Sequence, residues 1–155
     1  MSPTMVLRKR DGGTSSSASG NQWGDLVMVF GGSGGPKIIS AVLQVFLNVL
    51  FLGMPLFEAV AKPRVHDQLL YHDSVVTTVE KLTLEGAEDG NHQGEDGIGP
   101  TLEVSERTKH ALMRRHHKLL DIDYTGCVQA ILVDHKTNTL SAVSDMRKGG
   151  SPAGY

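Results

Sequence analysis

The 155-residue sequence has one cysteine, no Asn-x-Ser/Thr triplet and almost no net charge. A single thiol, Cys127, excludes an internal disulfide framework, and inside an apolar strand it reads as an inert core residue. A formal charge of −2 leaves no electrostatic footprint for nucleic acid, so no such partner is expected. The short basic run Arg8-Lys9-Arg10 reads as a solvated turn. The longest apolar stretch, over 38–52, is about fifteen residues against the roughly twenty that cross a bilayer, and Gln44 and Asn48 interrupt it. It predicts a buried helix. Met1-Ser2-Pro3-Thr4-Met5-Val6-Leu7 lacks the charged start and long apolar core of a signal peptide. No N-glycosylation, metal or cofactor is expected.

What is present centres on residues 26–52. Leu26-Val27-Met28-Val29-Phe30 reads as a strand, Gly31-Gly32-Ser33-Gly34-Gly35-Pro36 follows, and the long apolar run comes next. A glycine cluster that opens a helix leaves free N–H groups at the positive end of the dipole, where an anion can sit. Glycine reaches φ > 0 and admits close approach to a ligand. Pro36 suits the first helical position, where its missing N–H costs nothing. Neither familiar nucleotide motif fits. A Walker loop needs Gly-Lys-Ser/Thr where the chain has Pro36-Lys37-Ile38, and the dinucleotide glycine spacing is missing. From these residues alone, a tight packed turn and an anion-binding junction both remain open.

Two apolar runs, Met5–Lys9 and Asp25–Phe30, flank a Gly/Ser/Asp/Thr/Asn stretch and predict a hairpin whose tip, 11–24, is a flexible loop. A first helix runs from Pro36 to about Leu52, ended by Gly53 and Pro55. A short second helix over 55–61 stops before Pro63. Residues 64–71 read as irregular or extended, and Ser74–Leu82 as a strand. Five acidic residues and five glycines within 85–99 predict a second flexible loop over 85–100, an acidic docking site being its other reading. Thr101 is expected to cap a third helix reaching about Leu120, with Val104, Thr108, Ala111, Leu112 and Leu119 on one face. His110, His116 and His117 suggest a metal, but neighbouring helical histidines point about 100° apart and no further ligand falls at a recognised spacing. Cys127–Val133 and Leu140–Ser144 predict a closing hairpin. The sum is an α/β (α+β) chain, an antiparallel sheet with covering helices.

Several strings, read in order, resemble one family. Met1-Ser2-Pro3-Thr4 opens the chain, and Gly31-Gly32-Ser33-Gly34-Gly35 precedes the long helix. Glu58-Ala59-Val60 leads to Pro63-Arg64-Val65-His66-Asp67-Gln68. Asp145-Met146-Arg147-Lys148-Gly149-Gly150 and Ala153-Gly154-Tyr155 close it. The sequence resembles the C-terminal part of the small subunit of γ-glutamyltransferase, also called glutathione hydrolase, over residues 1–155 apart from 11–24 and 85–99.

That resemblance implies part of an N-terminal-nucleophile hydrolase αββα sandwich, matured by self-cleavage. A new N-terminal threonine would attack the γ-glutamyl amide of glutathione or another γ-glutamyl compound, its own α-amine serving as base. The acyl-threonine would pass to water or to an amino acid or dipeptide acceptor. The family's backbone oxyanion donors match Gly34 and Gly35, which are thus the expected catalytic and substrate-binding residues. Arg64, His66 and Gln68 are expected around the site, with a buried structural role for Arg64. Asp145, Arg147 and Lys148 are expected to form ion pairs and turn contacts. The family's nucleophile and its serine pair lie upstream of the Met-Ser-Pro-Thr string, and Thr4 does not match that threonine. The chain alone is therefore expected to be inactive, its partners being that upstream part and the large subunit of the same precursor. By resemblance the setting is the outer face of the plasma membrane, extracellular or vacuolar. A non-catalytic ligand-binding or regulatory member of the same fold is the alternative, and a generic anion site in a small α/β protein is a third reading.

Overall fold

β-Branched and apolar residues at alternate positions build the first sheet. In the computed structural model, which describes residues 3–9, 23–83 and 101–154, β1 (Thr4–Lys9) pairs antiparallel with β2 (Trp23–Ser33). β7 (Cys127–Asp134) and β8 (Thr139–Val143) form the closing hairpin, and β2 pairs with β7 to give the antiparallel order β1-β2-β7-β8. Both predicted hairpins are present, joined into one sheet. β2 continues through Gly31, Gly32 and Ser33, which the sequence reading had placed in the turn.

Side chains alternate across that sheet. Met28, Phe30, Val128 and Ala130 face α1 (Ile38–Leu50) and are buried against its Ala41, Val45 and Val49, spaced four apart along one helical face. The larger of these, Met28, Phe30, Val45, Val49 and Val128, each contribute about 1.5–3 kcal/mol relative to leaving them in water. Gly32 lies under the helix, where a Cβ would sit 3.0 Å from Val42 Cγ2 and 3.0 Å from the Cys127 carbonyl. The opposite face carries a row across all four strands, Met5–Val29–Ile131–Ala142, set by the register. Met5 is 69% and Ile131 40% exposed. A cavity of about 630 Å³ opens on this sheet, lined among others by Val29, Gly31, Gln129 and Ile131.

A short 3₁₀ turn, Gly35–Lys37, leads into α1, and α2 (Leu56–Ala61) follows Pro55. The second sheet is built on β4 (Thr77–Thr83), whose first four residues are buried. It pairs antiparallel with β3 (Val65–His66) and β5 (Thr101–Glu103), and parallel with β6 (Leu119–Ile122).

The expected third helix over 101–120 is corrected to three elements. α3 covers only Glu106–Met113, between β5 and β6. Thr101 sits in β5, and the cap is Ser105, whose side chain accepts from the Thr108 N–H. Val104 precedes the helix, while Leu119 pairs with Thr77. The helical spacing of these apolar residues was coincidental; pairing with β4 decides their backbone. Ser105→Ala is expected to destabilise the protein by about 1 kcal/mol, read as a lower urea midpoint at unchanged slope. The loops expected over 11–24 and 85–100 fall outside the described residues, apart from Trp23 and Gly24 in β2.

Candidate active site

The strand-to-helix junction has a backbone that only glycine adopts comfortably. Gly34 has φ 135° and Gly35 φ 61°. A Cβ on Gly34 would lie 2.6 Å from Gly126 Cα, whereas one on Gly35 would meet nothing within 4 Å. Gly35 is exposed and Gly34 half-buried. Among the described residues, neither N–H donates a hydrogen bond to the chain, and no side chain caps the turn. Two donors without a partner among the described residues therefore stand at the start of the turn that leads into α1.

Ser33 precedes them. Its Oγ lies 2.9 Å from Cys127 Sγ and accepts from Lys148 Nζ at 3.2 Å. All three residues line the cavity on the first sheet; its wall reaches Ser33 and does not include Gly34 or Gly35. Lys37 Nζ donates to the Tyr124 carbonyl at 3.0 Å. Burial, followed by hydrogen bonding to Cys127, raises the Tyr124 phenol above its ordinary value.

Beneath the junction lies a buried cluster of two cations and two anions. Arg64 Nη2 donates to Asp145 Oδ2 at 2.8 Å, and Arg147 Nη1 to Asp145 Oδ1 at 2.9 Å. Arg147 also pairs with Glu80 through Nε at 2.7 Å and through Nη2. The free valences go to backbone. Glu80 accepts the N–H of Arg64 and of Thr125, and Asp145 that of Val128. Arg64 Nη1 donates to the Gly126 carbonyl at 2.8 Å, and Nη2 to the Val60 carbonyl at 2.6 Å. Arg64 Nε and Thr125 Oγ1 alone are buried without a partner among the described residues. Burial pushes the Asp145 carboxyl up, but Arg64 and then Arg147 outweigh it and hold it below the carboxylate range. Burial lowers the Arg64 guanidinium, the neighbouring Arg147 adding to this. In Arg147 the pairing with Glu80 overcomes burial and raises it.

The sequence expectations are met unevenly. Arg64, Asp145 and Arg147 are buried in ion pairs, Arg64 having the structural setting expected of it. Lys148 instead reaches Ser33. His66 bonds to Ser40 through Nδ1 and to Gln68 through Nε2, both at 2.8 Å. Gln68 Nε2 donates to the Leu70 carbonyl, which leaves its Oε1 facing His66 Nε2. Neither His66 nor Gln68 bonds to Gly34 or Gly35. His117, one of the three histidines considered and set aside as a metal set, bonds Thr77 and Asp67. The Thr77 hydroxyl, then the Leu69 N–H, holds the Asp67 carboxyl low. Among the described residues no group of three His, Cys, Asp or Glu is arranged to hold a metal. Sequence reading missed Glu80, Gly126 and Ser33. Glu80 alone had a signal, a single carboxylate in a strand of threonines and valines.

The Gamma-glutamyltranspeptidase family matches over residues 1–155. Glutathione hydrolase 3 of Arabidopsis thaliana is 35% identical over 152 residues, covering 84% of this chain and 22% of that protein. Scoloptoxin SSD20 of Scolopendra dehaani is 30% identical, covering 87% of this chain and 56% of the toxin. The chain thus spans about a fifth to just over half of these relatives. A highly active mutant of gamma-glutamyltranspeptidase from Pseudomonas nitroreducens superposes with a TM-score of 0.64 at 29% identity, over 100% of this chain and 61% of that one. The transpeptidase CapD of Bacillus anthracis, at 14% identity and a TM-score of 0.60, shares the fold. The ordered strings, the αβ layering and the glycine junction have one common source: this chain belongs to the γ-glutamyltranspeptidase family and carries part of its N-terminal-nucleophile hydrolase fold.

Proposed function

We propose that this chain forms the oxyanion-binding side of a site that cleaves the γ-glutamyl amide of glutathione and related compounds. A threonine hydroxyl, supplied by the family's upstream segment, attacks the amide carbon. Its proton passes to the free α-amine, and the carbonyl oxygen takes up negative charge. The N–H groups of Gly34 and Gly35 donate to that oxygen. On collapse the α-ammonium returns that proton to the leaving nitrogen, the C–N bond breaks, and an acyl-threonine remains, which water or an amino acid or dipeptide acceptor resolves. Preorganised donors act where charge develops and need no reorganisation during the reaction.

The observation that carries this reading is the pair of adjacent, unpaired amides at positive φ, the second exposed, in a chain of this family. The partners are the nucleophile-bearing segment and the large subunit. The test is to extend the reading frame upstream and assay the extended polypeptide. It is expected to release glutamate from glutathione and to cleave a γ-glutamyl anilide. The absence of an in-frame threonine-led maturation site and serine pair removes the enzymatic reading. Glutathione binding without turnover supports a non-catalytic binding role instead.

A further inference from the structure

Gly126 and Gly34 touch back to back. A Cβ on Gly34 would sit 2.6 Å from Gly126 Cα, and one on Gly126 would sit 3.1 Å from the Ser33 carbonyl oxygen. Gly126, at φ 73°, also lies under the Lys37 carbonyl. The segment around it is tied at successive backbone groups to charged side chains. The Tyr124 carbonyl accepts from Lys37 Nζ, the Thr125 N–H donates to Glu80, the Gly126 carbonyl accepts from Arg64, and the Val128 N–H donates to Asp145. Three of these four charges belong to the buried cluster. Apart from Arg64 Nε, the remaining groups of that cluster bond to each other or to backbone carbonyls of Val60, Ala61 and Lys62. A rigid ionic base is thus coupled to the oxyanion turn through one methylene.

We propose that Gly126 is a positioning residue for the Gly34–Gly35 amides, through which the Arg64–Asp145–Glu80–Arg147 cluster sets their direction. This rests on the oxyanion reading above. Close packing transmits displacement, since a filled interior has no slack to absorb it. A Cβ at Gly126 moves the Ser33 carbonyl, and with it the next peptide. At 3.1 Å the Ser33 carbonyl gives by a few tenths of an ångström; a misplacement of about 1 Å costs roughly a hundredfold in rate, so this smaller shift costs severalfold to about tenfold. Ground-state binding by groups elsewhere is untouched, so the effect falls on kcat.

The test uses the mature full-length enzyme with its upstream segment. Gly126→Ala is expected to lower kcat about three- to tenfold, with KM within about twofold. The affinity of a tetrahedral γ-phosphonate analogue should fall in parallel, while that of free glutamate holds. A general loss of structure does not produce that split. Folded Gly126→Ala enzyme with unchanged kcat and analogue affinity overturns the positioning role. Should that variant fail to fold, Lys37→Met decides, since it removes the tether at Tyr124, and with it the Nζ contact over the Tyr71 ring, while the buried cluster keeps all its members. A severalfold drop in kcat with parallel weakening of the analogue supports the proposal, and unchanged values overturn it. Gly35→Pro separates the two ideas. If it alone is slow, the oxyanion reading stands and the positioning role falls; if it is as fast as the parent, the oxyanion reading itself fails.

Discussion

Asp145→Ala lowers the free energy of unfolding by about 3–5 kcal/mol, the loss expected when one member of a buried ionic group is removed. Asp145 is fully buried and answers two guanidiniums at once, at 2.8 Å and 2.9 Å. Without it, Arg64 keeps only carbonyl partners and Arg147 only Glu80 and carbonyls, and two cations face each other in a dry interior. The Val128 N–H also loses its acceptor. The effect depends on pH. The Asp145 carboxyl is held low in the folded state, so its stabilisation is present above the unfolded value of about 3.9 and is lost as pH falls through the folded one. The gap between parent and variant is therefore widest near neutrality and narrows below about pH 4. Urea unfolding at pH 7 and pH 3 measures both. A gap under about 1 kcal/mol at pH 7 would mean that the cluster is far wetter than its burial indicates.

On the function proposed above, Gly35→Pro in the full-length protein is expected to reduce kcat about 10²–10³-fold, the typical cost of losing one oxyanion donor. Proline removes the N–H and also rejects φ 61°, so Gly35→Ala is the necessary comparator. Alanine keeps the donor, and its Cβ meets nothing within 4 Å. Its penalty is the left-handed backbone alone, about 1–2 kcal/mol of strain. The expected order is parent, then Gly35→Ala, then Gly35→Pro far below. Equal rates for the two variants would assign the loss to backbone strain and remove the Gly35 amide from the chemistry.

Local features were legible wherever a single segment fixes its own conformation. The alternation in β1 and β2 and the Gly53–Pro55 stop after α1 each follow from neighbours in sequence. The glycine junction was legible as a strand-to-helix turn at positive φ; the proposed donor role of Gly34 and Gly35 came from the ordered strings. Residues 101–120 misled because Val104 and Leu119 are apolar at helical spacing, yet β6 is held in place by β4 some forty residues earlier. The ion cluster was illegible as a cluster. Arg64 meets Asp145 across 81 residues, and nothing in the intervening sequence encodes that meeting. Gly126 was overlooked for the same reason: its role exists only once Gly34 is brought against it.

The central seam of the first sheet has a consequence for biosynthesis. β2 and β7 are neighbours in space, yet Ser33 and Cys127 are 94 residues apart. At ribosomal speeds of about 5–20 residues per second, β2 waits roughly 5–20 s for the strand that closes its edge. Throughout that interval a β-prone ribbon with unpaired backbone groups emerges beside an apolar helix, a combination open to intermolecular pairing. The open edge of β2 is thus exposed to intermolecular pairing until β7 arrives, and slower translation downstream of α1 lengthens that exposure.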